Sequence, residues 1–249
     1  MRLFGVLRLK SVLLSALAVA LALAITVGTA VPLAQAASTK RKLPVYSVED
    51  ENKIAITFDA SWGAERTKSI VDTLVQYGVK ATFFLTGIWI DEYPEETKYI
   101  AACGMEIGNH SRHHYNMGKM GSVEIEAEID YVNERVYELT GKKPHVFRAP
   151  FGDYGNTLID FLESKNMRCI QWDVDSLDWK GLDKETLEKR ILERTSGGSI
   201  ILCHNNSEHI LEALPEVLSR LAEKYTFVTV SELLEGKTGT IDHTGKLHA

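Results

Sequence analysis

Two imidazoles stand four residues apart in Asn109-His110-Ser111-Arg112-His113-His114. Imidazoles at i and i+4 can hold one metal ion, and a bound metal can activate water. His113, at i+3, competes with His114 for the second ligand position on spacing alone. An acid, Asp59, follows the apolar run Ile54 to Phe58, and another imidazole, His204, closes the run Ser199 to Cys203. A carboxylate, a group able to release a proton near neutrality and a metal-binding pair together suit metal-assisted hydrolysis.

These residues need elements to place them, and the chain reads as an alternation. Strand-like runs cover Lys53–Phe58, Ala81–Leu85, Met105–Gly108, His145–Phe147, Arg168–Trp172, Ser199–Cys203 and Phe227–Val230. Helical stripes lie between them at Glu65–Gln76, Glu95–Ala102, Val123–Leu139, Thr157–Lys165, Lys184–Arg194 and Ser207–Lys224. Ile125, Ile129, Val132 and Val136 form the apolar face of the longest, with Ser122 as its expected N-cap. Regular βα alternation implies a mostly parallel sheet covered by helices. Asp59, His110, Arg148, Asp173 and His204 all follow the C-terminal ends of strand candidates. Convergence of many strand ends on one place favours a barrel over an open doubly wound sheet. No Gly-rich phosphate loop follows the first strand, which argues against nucleotide binding.

Composition narrows the function further. Arg2, Arg8 and Lys10 precede an uncharged, almost wholly apolar stretch, and Ala34-Gln35-Ala36 supplies a small-x-small cleavage signal. Residues 1–37 are therefore expected to be a signal peptide or an N-terminal membrane anchor, the anchor running through residues 11–31. Either way the remainder would lie outside the cytoplasmic membrane, secreted or anchored to its outer face. Residues 38–51 read as a linker, 52–235 as one domain and 236–249 as a flexible polar tail. Of the 249 residues, removal of the leader with its three positive charges takes the formal charge from −6 to −9. So acidic a surface excludes nucleic acid as the main partner. Cys103, Cys169 and Cys203 read as small buried hydrophobes, not as a disulfide framework.

Each motif alone is weak. Acids end strands as turn residues, and Arg148-Ala149-Pro150-Phe151-Gly152 is also a plain turn sequence. Their order is specific. Thr57-Phe58-Asp59, His110-Ser111-x-x-His114, Arg148-x-Pro150-Phe151, Asp175-Ser176-x-Asp178-Trp179 and Leu202-x-His204 resemble the NodB homology domain of the carbohydrate esterase family 4 polysaccharide deacetylases. The resemblance covers about residues 52–232, and the opening Thr-Phe-Asp-x-Ser-Trp-Gly is most similar to the sporulation-associated PdaB-type branch.

The resemblance implies a distorted (β/α) barrel and an exported hydrolase that removes N-acetyl groups from peptidoglycan amino sugars. It implies a divalent metal, zinc first, with cobalt, nickel and manganese as alternatives, held by His110 and His114. Asp59 would be the general base, Arg148 its orienting partner, and His204 the general acid. Asp178 would tune the neighbouring charged groups. The backbone N–H of Phe151 would help hold the oxyanion, while Trp179 and Leu202 would wall the acetyl methyl. The family carries a second Asp, a metal ligand, where this chain has Ala60. Alanine cannot coordinate, which leaves two imidazoles, Asp59 and water. Trp62, Trp89 and Trp179 are candidates for stacking on sugar rings. Two other readings stand beside this one: a glycan-binding or structural protein on the same fold, and a deacetylase of another acetylated polysaccharide.

Overall fold

The computed structural model describes residues 40–248. The expected leader, with its anchor at 11–31, lies outside them. Among the described residues no helix is long and apolar enough to cross a membrane.

The first elements are β1 (Ser47–Val48), β2 (Lys53–Ala60), α1 (Thr67–Gln76), β3 (Thr82–Leu85), α2 (Gly87–Glu92), α3 (Pro94–Ala102) and β4 (Glu106–Asn109). Then follow α4 (Ser122–Thr140), β5 (Val146–Phe147), α5 (Asn156–Ser164), β6 (Arg168–Cys169) and β7 (Val174–Asp175). The chain continues through α6 (Lys184–Arg194), β8 (Ile200–His204), α7 (Ile210–Ala222), β9 (Thr226–Phe227), α8 (Val230–Leu234) and β10 (Lys246–Leu247). The main sheet runs β6-β5-β4-β3-β2-β8-β7, with β9 against the start of β2, and every pairing is parallel. It curls into a half-barrel with helices outside, the distorted barrel that the family resemblance implies.

Strand β2 shows how the sheet builds both core and site. Ile54, Ile56, Phe58 and Ala60 face the helices and join the main apolar cluster with Phe83, Leu85 and Trp89. Thr57 and Asp59, on the other parity, turn inward, as the period of two in a strand requires. Trp89 therefore belongs to the core: it is fully buried and its indole N–H donates to the Gly63 carbonyl at 2.7 Å. It is not a sugar platform.

Two expectations change. Of the strand read over Arg168–Trp172 only Arg168–Cys169 is strand, β6 against β5, and a separate strand, β7, follows at Val174–Asp175 on the opposite edge of the sheet against β8. Between them the chain leaves the sheet at Ile170, which bridges to Val45. The residues read as a flexible tail carry β10, parallel to β1, with Ser47 opposite Lys246 and Val48 opposite Leu247. Leu247 is fully buried in an apolar cluster with Val45, Val48 and Ile170. Two apolar residues in a polar stretch, Leu247 and the partly buried Ile241, carry this packing, too little for periodicity to register. The linker is tied down as well. Lys42 reaches Asp160 and Glu163 at 2.6 Å each, and Val45 exchanges backbone hydrogen bonds with Cys169 and Gln171. The three cysteines are free thiols, Cys169 and Cys203 buried.

Candidate active site

The loop after β4 carries the imidazoles. Asn109 anchors it by donating to the Ile129 carbonyl and the Asn133 side chain on α4, each at 2.9 Å. The N–H groups of Gly87 and Ile88 donate to the carbonyls of Ser111 and Arg112, both at 3.0 Å. Ser111 and His114 hold left-handed backbone, φ 67° and 60°. Side chains rarely tolerate that region, and such residues cluster where a site is over-determined by its surroundings. Phe151 (φ 59°) and Leu177 (φ 56°) share it, in the loops after β5 and β7. The i, i+4 pair is thus a loop constellation and not a helical face. The same loop settles the competition with His113, whose Nδ1 lies 2.6 Å from Glu128 and whose ring stacks on Tyr115. His114 instead turns toward His110, with ring centroids 5.0 Å apart.

Behind this pair sits a buried ion pair. Arg148 is fully buried and donates to Asp59 Oδ1 at 2.7 Å, to Thr57 Oγ1 at 2.8 Å and to the Gln171 carbonyl at 3.2 Å. Its guanidinium lies over the Phe84 ring, 4.1 Å from the centroid. Burial pushes the Asp59 carboxyl up, but Arg148, His110 and His204 outweigh it and hold the group below its ordinary value. Asp59 Oδ2 stays on the cavity side, 3.4 Å from His110 Nε2.

A second charged pair faces the first across the cavity. His204 ends β8, and its Nδ1 lies 2.7 Å from Asp178 Oδ1. The other Asp178 oxygen accepts the His204 backbone N–H at 2.7 Å. Burial opposes the charged imidazole, yet the Asp178 hydrogen bond and charge prevail and raise its pKa. His110 and His114 go the other way. Burial lowers both, and the neighbouring imidazole adds to the fall at His114, which reaches about 4. Near neutral pH the site therefore holds two neutral imidazoles and one that favours its proton.

The metal-binding chemistry follows from these tautomers. His110 Nδ1 lies 2.8 Å from the Arg148 carbonyl, which can only accept, so Nδ1 carries the proton and Nε2 presents a lone pair. Buried His114 Nδ1 has no hydrogen-bond partner. Two neutral imidazoles with Asp59 Oδ2 nearby fit a divalent ion of the zinc type. Among the described residues, no three His, Cys, Asp or Glu side chains are already gathered as a metal cage. Ala60 adds nothing: it is fully buried in the apolar cluster and does not line the cavity.

The cavity holds about 730 Å³ and is lined by Asp59, His110, His114, Phe151, Asp178, Trp179, Leu202 and His204, with Ser61, Trp62, Ala149, Trp172, Asp175, Gly181 and residues 205–208. Three aromatics stand exposed on its rim: Trp62 at 64%, Phe151 at 66% and Trp179 at 59%. Trp62 and Phe151 both set their rings edgewise to His114, at 4.9 and 4.5 Å between centroids. Asp173 does not join the site. It accepts from the Ile200 N–H and the Ser199 hydroxyl, both at 2.8 Å, and fixes the start of β8.

A model of the polysaccharide deacetylase family matches residues 47–170. A peptidoglycan-N-acetylglucosamine deacetylase of Bacillus cereus is 34% identical over 188 residues, which cover 74% of this chain and 68% of that protein. The chain belongs to the polysaccharide deacetylase family. The peptidoglycan-N-acetylmuramic acid deacetylase PdaC of Bacillus subtilis is 32% identical, over 78% of this chain and 42% of that one. The crystal structure of a CE4-family pseudoenzyme from Bacillus anthracis superposes with a TM-score of 0.75 at 30% identity, over 83% of this chain and 73% of the other. The chain spans between 42% and 68% of the length of the first curated relatives it matches.

All nine site residues expected from the deacetylase motifs line this cavity or, for Arg148, support it from behind. Three contributors were not singled out. Thr57 Oγ1 accepts from Arg148 and donates to the Ile201 carbonyl at 2.6 Å. Asn205 donates to Gly63 O at 2.8 Å and to Thr67 at 2.9 Å, which holds the turn that carries Trp62. Ser207 donates to the Asp178 carbonyl at 2.9 Å. Thr57 stood inside the first motif and Asn205 beside the last. Their neighbours were the only available signal.

Proposed function

We propose that this protein is an exported, metal-dependent hydrolase that removes N-acetyl groups from peptidoglycan amino sugars, on the PdaB-type branch and in sporulation. One observation carries the reading: Asp59–Arg148 and His204–Asp178 face one cavity as oppositely biased titratable pairs around two neutral imidazoles. Environments that push two groups apart in this way assign a base and an acid. A pure binder has no use for such a division. Export rests on the basic, apolar and small-x-small pattern of residues 1–37.

In this reading His110 and His114 hold the ion, zinc by preference for imidazole donors. When bound, it supplies a Lewis acid for the acetamide carbonyl and makes water easier to deprotonate. Asp59, fixed by Arg148 through Oδ1, receives the water proton on Oδ2. The backbone N–H of Phe151 would help hold the developing oxyanion. Trp179 and Leu202 enclose the acetyl methyl. His204, oriented by Asp178 through Nδ1, delivers a proton from Nε2 to the departing amine. Asp178 acts as the positioning residue for that step.

A second reading, a glycan-binding protein on an inherited barrel, is favoured by Ala60 in place of an anionic ligand and by the likeness to a solved pseudoenzyme. Acetate release from N-acetylated peptidoglycan fragments separates the two. It is measured with the full chain after chelation, and again with added zinc, cobalt, nickel or manganese. Release restored by metal and absent in Asp59→Asn supports the hydrolase. No release from a folded sample under any of these metals supports the binder.

A further inference from the structure

His110 and His114 are held in different ways. The His110 ring is fixed through Nδ1, 2.8 Å from the Arg148 carbonyl. The His114 ring has no such tie, because its buried Nδ1 lacks a partner. Its ring contacts with Trp62, Phe151 and His110 are edgewise, and the first two stand exposed on the rim. The place of His114 therefore depends on its main chain. That chain is neither helix nor strand, is left-handed at φ 60°, and bonds inside the loop, the His114 N–H donating to Ser111 Oγ at 3.1 Å. Such backbone persists where its surroundings over-determine it. Here the surroundings are α4. Asn109 is tied to Ile129 and Asn133, and the Arg112 guanidinium lies over the Tyr131 ring, 3.9 Å from its centroid. Next to His114 itself, buried Glu128 accepts the His113 N–H at 2.9 Å through one oxygen and lies 2.6 Å from His113 Nδ1 through the other. Burying a carboxylate is costly unless it is hydrogen-bonded, and neither acid–base pair uses this one.

We propose that Glu128 is the positioning residue for His114: by clamping both the main chain and the ring of His113, it presets the His114 ring beside His110 and so sets the affinity of the pair for a divalent ion. This rests on the metal-dependent reading above and deepens it. The clamp works through geometry and not through charge. A glutamine keeps it, with Oε1 accepting the main-chain N–H and Nε2 donating to the other tautomer of His113. A side chain without acceptors loses it. Partners that orient metal-bound imidazoles from outside are typically worth about 10–100-fold in metal affinity.

The test is zinc binding to the full chain by calorimetry, with His114→Ala assigning the signal to this site. Glu128→Ala, and Glu128→Met, which keeps the bulk of the stem, should each weaken binding about 10–100-fold. Glu128→Gln should stay close to the wild type. Leu247→Ala, in the β1–β10 seam, should lower Tm and leave the zinc affinity alone, which separates positioning from a general loss of stability. Zinc affinity unchanged in Glu128→Ala and Glu128→Met overturns the clamp and leaves the hydrolase reading. A fall in Glu128→Gln as large as in Glu128→Ala makes the effect one of charge and overturns the clamp too, as does an equal fall in Leu247→Ala. Zinc binding that depends on Glu128, without acetate release under any metal, keeps the clamp and sinks the hydrolase. A wild-type chain that takes up no zinc overturns the clamp and the metal dependence together.

Discussion

Replacing Arg148 with methionine tests the construction of the site more severely than any change at its rim. Methionine keeps much of the apolar stem against Phe84 but removes three hydrogen bonds and the charge beside Asp59. Breaking a buried pair from one side leaves an uncompensated charge and costs about 3–5 kcal/mol. For a domain of this size that corresponds to a fall in Tm of roughly 6–20 °C. The loss has a definite pH dependence. In the wild-type protein the Asp59 carboxyl sits below its ordinary value, so its contribution to stability is present above the unfolded pKa and disappears as pH falls through the folded one. Without Arg148, burial dominates and the folded pKa rises above the unfolded value. The variant is then most handicapped near pH 7, and its deficit narrows on acidification toward the unfolded value. Urea denaturation at neutral pH and near pH 4.5 measures both quantities, with Asp59→Asn/Arg148→Met closing a double-mutant cycle. A neutral-pH loss under about 1 kcal/mol, or a deficit that widens in acid, would refute the claim that this pair is tightly coupled.

Asp178→Asn takes away the charge that raises His204, so the alkaline limb of acetate release should move to lower pH and the maximum rate should fall roughly 10²–10⁴-fold; a pH–rate profile reads both. Ala60→Asp puts a carboxylate at a fully buried position, which should lower Tm in chelator and enlarge the rise on adding zinc; an unchanged zinc response means that residue 60 does not reach the ion. Leu247→Ala deletes a fully buried side chain and should cost about 2–4 kcal/mol in urea melts, whereas a freely moving tail would register nothing.

The fold was legible wherever periodicity ran long. The apolar stripe of α4 and the buried run of β2 announced their elements, and Gly78 at φ 65° stops the chain just past α1 as read. The boundaries blurred where tertiary contacts take over. The short helix α2 went unread, because its Thr86 cap and the imidazole loop hold it more than its own six residues do. The strand read at 168–172 ran past its end at Cys169 and missed the separate β7 on the other edge, since sequence does not say which neighbour each residue finds. The site was legible through the order of its motifs. Pairwise geometry was not: the sequence left His113 and His114 equivalent, and a carboxylate on a different element, Glu128, decides between them.

The pairing of Val48 with Leu247 has a consequence for how the molecule is made. Strand β1 precedes the rest of the domain along the chain, yet its partner β10 comes after every other element of the domain. Until then Val45, Val48 and Ile170 lack the lid that Leu247 provides, and the seam between β6 and β8 that residues 45–48 bridge stays loosely held. Contacts so distant along the chain form late, because loop closure must come first. A nascent or truncated chain should therefore collapse around β2, β3 and β4 with its seam unstitched. The first and last strands of the described domain, finally side by side, make the domain a natural candidate for circular permutation at an exposed loop.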